Sequence, residues 1–104
     1  MAWLILVLSG ILEAVWATAL GKSEGFTKPA PTMVFAAALA LSMAGLAYAM
    51  RTLPVGTSYA VWVGIGAALT VTWAMMFDGE AASPVKVLLV LGIVGCVIGL
   101  KALH

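Results

Sequence analysis

The stretch AWLILVLSGILEAVWATAL, residues 2–20, decides how this chain folds: it is apolar from end to end except for one carboxylate, Glu13. A run of this length suits a helix crossing the hydrocarbon core of a bilayer. No Lys or Arg precedes it, and it runs into Glu13 without reaching a small-residue cleavage site. It is therefore read as a retained helix and not as a signal peptide.

Working outward, the segment GKSEGFTKPAP, residues 21–31, reads as a solvated turn, with Gly21, Gly25, Pro29 and Pro31 among Lys22, Glu24 and Lys28. A second, uncharged helix is expected over about 32–50, closed by Arg51 at the interface and by Pro54 and Gly56. A third is expected over 57–77 and a fourth over 85–103, separated by DGEAASP, residues 78–84, with Lys86 and Lys101 near the two ends of the fourth. In VGIGAA, residues 63–68, Gly64 and Gly66 fall at mid-depth, where a bend or hinge is expected. The expectation is one domain over 1–104, an all-α membrane protein of four transmembrane helices.

Composition agrees. The chain is 64% hydrophobic and 9% charged, with a mean hydropathy of +1.18, whereas soluble domains are roughly half apolar and about a quarter charged. No length is left for a soluble catalytic domain. The net charge is +1 and the basic residues are scattered singly, so neither a nucleic-acid patch nor a polybasic lipid site is present. The single cysteine, Cys96, excludes an intrachain disulfide and reads as a small packing residue. Neither a metal site nor a cofactor is expected, and no enzymatic constellation is found: the one histidine, His104, ends the chain.

Glu13 is the outlier among the charges. An ionisable group at the bilayer centre costs about 2.5–3.5 kcal/mol on insertion scales for Asp, and such groups face cavities and mark ion or substrate paths. A carboxyl group taken out of water favours its neutral form, so Glu13 is expected to bind and release protons. Once ionised it would attract a cation, and competition of proton and cation for one group is sufficient for exchange.

Helical spacing puts Ser9, Gly10, Trp16, Ala17 and Leu20 on or beside the face of Glu13. Gly10 leaves space and Trp16 supplies a wall, while Trp3 reads as an interfacial anchor. Tyr59 and Trp62, three residues apart, would line a cavity suited to cations or, equally, form an interfacial belt. Ser42, the one polar side chain away from the ends of the second helix, would donate to ionised Glu13 or to its own helix. In the fourth helix, Gly92, Gly95, Cys96 and Gly99 give small residues at the spacings that close helix contact in lipid requires, so it reads as an association helix.

With four helices, one side of the membrane would carry Arg51 and Lys101 and the other Lys22, Lys28 and Lys86. A bias of two against three barely orients the chain. Both orientations could be inserted, and two copies could pair antiparallel. Four short helices can hardly enclose a solvated path alone, whereas a dimer would bring two Glu13 into one cavity.

Glu13 in the first helix, Trp62 in the third and four helices in 104 residues resemble the small multidrug resistance family of proton-coupled exporters. Within it, GILEAVWATAL (10–20), LAYAMRTLPVGTSYAVWVGIGAA (46–68), the GE of FDGE (79–80) and GIVGCVIGLKAL (92–103) are similar to the guanidinium exporter subtype. The resemblance covers essentially the whole chain. It implies an antiparallel, dual-topology homodimer in a bacterial inner membrane, working by alternating access and exporting guanidinium against protons that compete for Glu13.

By the same resemblance, Ser42 and Trp62 would hydrogen bond to Glu13, Trp16 and Tyr59 would complete the site, and Gly10 would leave it room. Gly64 and Gly66 would serve the hinge, and the fourth helix the dimer contact. A planar guanidinium fits a carboxylate bidentately, and Trp16, where the multidrug subtype has small residues, should narrow the cavity. Two departures, Lys22 set one residue beyond its usual place and the extra indole of Trp73, lie away from this site. The competing readings are a broad exporter of quaternary ammonium or aromatic cations, and a non-transporting membrane subunit in which Glu13 contacts a partner helix. A passive channel is disfavoured, because a single site at mid-depth suits alternating access.

Overall fold

The computed structural model describes residues 2–103, so His104 lies outside the described residues. It contains four helices: α1 (Ala2–Lys22), α2 (Pro29–Ala49), α3 (Val55–Phe77) and α4 (Pro84–Leu103). All four are long and apolar enough to cross a membrane.

Helix α2 begins at Pro29, ahead of the expected Thr32, so Pro29 and Pro31 stand in its first turn and not in the loop. The physical reason is that first-turn amides have no intrahelical partner, so proline loses nothing there. Pro84 opens α4 in the same way, with the Lys86 amide donating to Ser83 Oγ at 3.1 Å. Pro54 instead stands just outside α3, its carbonyl accepting the Ser58 amide at 2.9 Å.

The first loop is tighter than a solvated turn. Ser23 is fully buried; its hydroxyl donates to the Leu20 carbonyl at 2.7 Å and accepts from the Phe26 amide at 3.1 Å. Glu24, Gly25 and Phe26 all take positive φ there, a conformation costing roughly 1–2 kcal/mol for a residue bearing a side chain. In the third loop, Gly79 at φ 73° lets the Asp78 and Glu80 amides both reach the Ala74 carbonyl at 3.1 Å.

Helix α1 packs against both α2 and α3, and the α4 backbone approaches only α3. The core gathers at the end nearest the second loop: Leu6, Leu46, Ala49, Leu53, Val61 and Trp62. Toward the other end the helices part. There a cleft of about 700 Å³ opens between α1, α2 and α3, lined by Ile11, Val15, Val34, Leu69, Trp73 and Met76 among others.

The two ends also differ in charge. Beside the first and third loops, Lys22 pairs with Asp78 at 3.1 Å, Lys28 with Glu24 at 3.3 Å and Lys86 with Glu80 at 3.0 Å. At the opposite end the cations lie on aromatic faces instead, Arg51 over Tyr48 at 5.6 Å and Lys101 over Trp3 at 5.4 Å.

Candidate functional site

Glu13 stands halfway along α1, where the closed half of the bundle gives way to the cleft. Its side chain is directed at α3: a Cβ at Gly66 would fall on the carboxyl group of Glu13. One turn earlier on α1, the missing side chain of Gly10 is filled from α3 by Ile65, whose Cβ would lie 2.8 Å from a methyl there. The two helices thus meet through a reciprocal pair of glycines, Gly10 receiving Ile65 and Gly66 receiving Glu13. The space at Gly10 is therefore taken by a helix contact.

Ser42 and Trp62 are brought together, but their hydrogen bonds run elsewhere than to Glu13. Trp62 Nε1 donates to Ser42 Oγ at 3.0 Å, and Ser42 Oγ donates to the Ser9 carbonyl at 2.7 Å. Both side chains are buried. The cause lies in how closely α2 approaches α1: a Cβ at Gly45 would overlap the Ser9 hydroxyl, which itself donates to the Ile5 carbonyl at 2.7 Å. That approach carries Ser42 onto the α1 backbone one turn before Glu13. In a regular helix the same Ser9 carbonyl also accepts the Glu13 amide, so the network ends on the turn that carries the carboxylate.

Two polar atoms beside this network are buried with no hydrogen-bond partner, Glu13 Oε2 and Trp16 Nε1. The Trp16 ring packs edge-on against Phe35 of α2, with centroids 5.9 Å apart, and Phe26 extends the cluster at 5.5 Å from Phe35. Tyr59 leans on Trp62 at 5.9 Å but is 54% exposed, at the rim of a groove between α3 and α4 that also holds Leu89, Ile93 and Cys96.

Helix α3 continues through both Gly64 and Gly66. The gap at Gly64 is filled by Val97 and Ile93, so this glycine seats α4 against α3. On α4, Gly92, Gly95 and Gly99 have open space where a side chain would project, and Cys96 is exposed. Gly95 and Gly99 therefore stand clear of the rest of the chain, while Gly92 and Cys96 border the groove between α3 and α4.

Sequence reasoning missed Phe35, Gly45 and the part played by the Ser9 carbonyl. Phe35 is the one aromatic residue in the first half of α2, and Gly45 the one glycine of that helix, so both carried a signal. A backbone acceptor carries none.

Chemically the site offers a carboxylate oxygen that can only accept, indole faces, and a supporting hydroxyl already engaged. Such a set can hold a compact cation or a proton. Among the described residues no group of His, Cys, Asp and Glu could hold a metal ion.

Residues 1–95 match the family described as Small Multidrug Resistance protein. Proteins named guanidinium exporter from Citrobacter freundii and Salmonella typhimurium are each 48% identical over 101 residues, covering 97% of this chain and 96% of their own length. The guanidinium exporter of Escherichia coli is 46% identical over 99 residues, covering 91% of this chain and 94% of its own.

Proposed function

The chain belongs to the small multidrug resistance family, and on that footing we propose that it exports guanidinium in exchange for protons, the two competing for Glu13. It is a multi-pass protein of the bacterial inner membrane. The observation that carries the reading is Glu13 itself: a carboxylate at mid-span whose Oε2 is buried without a hydrogen-bond partner. A buried carboxylate without a partner is costly, and two things relieve it: a proton, which removes the charge, or a cation rich in N–H donors. Guanidinium supplies donors in a planar fork and no acceptor. Near-full-length identity to proteins named guanidinium exporter supports that substrate.

The working unit in this proposal is an antiparallel homodimer. One chain leaves the apolar cleft between α1, α2 and α3 open and the glycine face of α4 bare, and a second copy would cover both. Trp16, Trp62 and Tyr59 form the aromatic wall. Ser42 fixes α2 and Trp62 to the turn before Glu13, and alternating access moves the pair of carboxylates from one face of the membrane to the other. The protein transports and carries out no covalent chemistry.

The test is guanidinium uptake into proteoliposomes of the purified protein under an imposed pH gradient, beside Glu13→Gln and with tetraphenylphosphonium as competitor. Uptake should track the gradient, fall to the level of empty vesicles in Glu13→Gln, and resist the competitor. Strong competition would point to the multidrug reading. No guanidinium movement by well-folded wild type would sink the proposal and favour a partner subunit.

A further inference from the structure

The reciprocal glycines of α1 and α3 differ in what an added methyl group would strike. At Gly10 it would meet Ile65 Cβ at 2.8 Å, an atom fixed to the α3 backbone. At Gly66 it would meet the far end of a flexible side chain, with Glu13 Oε1 at 2.6 Å and Cγ at 2.8 Å. The first contact can relieve itself only by parting the helices; the second relieves itself by moving the carboxyl group. Little else holds that group. Its Oε2 has no hydrogen-bond partner, and the Gly66 carbonyl is occupied by the Thr70 hydroxyl at 2.7 Å.

We propose that Gly66 is a positioning residue for Glu13: the absent side chain at 66 is the seat that sets where the carboxyl group stands, and so how it meets its cation. The functional meaning of the seat rests on the exchange proposed above. A hinge at Gly64 and Gly66 predicts something else, because a hinge governs how fast the two access states interconvert and leaves the carboxyl group where it was.

Equilibrium binding of guanidinium to purified protein in detergent, measured by calorimetry, separates the two. In Gly66→Ala the dissociation constant should rise about tenfold, while Gly64→Ala, whose methyl meets Val97, should stay within about twofold. In a Glu13→Asp background the carboxyl group is drawn back by one methylene, from the position of Cδ, which the added methyl would overlap, to that of Cγ, 2.8 Å from it. There Gly66→Ala should add a smaller loss, about threefold, a coupling that general loss of structure does not produce. Equal losses in both backgrounds, or unchanged binding with slowed transport in both glycine variants, would overturn the seat.

A second readout needs no substrate. The side-chain carboxyl carbon of Glu13, followed by NMR in isotope-labelled protein, should change its chemical shift in Gly66→Ala and keep it in Gly64→Ala. Should wild type bind no guanidinium, the transport reading fails, yet this shift still decides the seat: its presence upholds it and its absence ends it. A Gly66→Ala protein that cannot be recovered folded also contradicts the proposal, since the seat yields by moving one side chain.

Discussion

The half of the bundle around the second loop and the half around the first are built from the same kinds of apolar residue, yet one is packed and the other is open. In the closed half, Leu6, Leu46, Val61 and Trp62 are buried against one another, and the Trp62–Ser42–Ser9 bonds tie three helices at one level. In the open half, Val34 is 49% exposed, Trp73 47% and Met76 67%, around a cleft with hardly any polar surface. Lipid is as apolar as these side chains, so hydrophobicity alone does not draw helices together in a membrane; close packing and interhelical hydrogen bonds do. The packed half has both, and Glu13 stands midway along α1, between the two halves, with its carboxyl group against Gly66.

Substitutions in the two halves should differ in cost accordingly. The largest effect on stability is expected for Leu6→Ala, which empties a site that is fully buried. Without a water-to-oil transfer gain the cost should be mainly that of the cavity, about 2 kcal/mol, read from the equilibrium between folded and denatured protein in mixed micelles. Ser42→Ala should come next, at about 1–2 kcal/mol, because it leaves Trp62 Nε1 buried without an acceptor. Val34→Ala in the cleft should be smallest, within about 0.5 kcal/mol. A cost at Val34 equal to that at Leu6 would mean that the open half is packed in the working protein far more tightly than in a single chain.

The contrast also explains what could be read from the sequence. Glu13 was legible because a single charge inside an apolar run has no structural excuse, and the four helices because their lengths match a bilayer. Trp62 and Ser42 stood out in the sequence, but their bonding partner did not: which acceptor a hydroxyl meets depends on how deeply α2 sinks onto α1, and that is set by Gly45 over Ser9. The sequence placed Gly64 and Gly66 at mid-depth without saying which neighbour would fill either. Only packing shows that Gly64 receives Val97 from one side of α3 while Gly66 receives Glu13 from the other. The lysine count across the membrane was legible as well; the pairing of Lys22, Lys28 and Lys86 with Asp78, Glu24 and Glu80 was not, because two of those three pairs join residues brought close by loop geometry.

If proton and guanidinium compete for Glu13, guanidinium binding must displace protons, and their release can be followed with the purified protein in weakly buffered detergent solution. Wild type should release protons on binding and bind more weakly as the pH is lowered, and Glu13→Gln should release none. Tight binding by wild type with no proton release, and with an affinity independent of pH, would contradict the account.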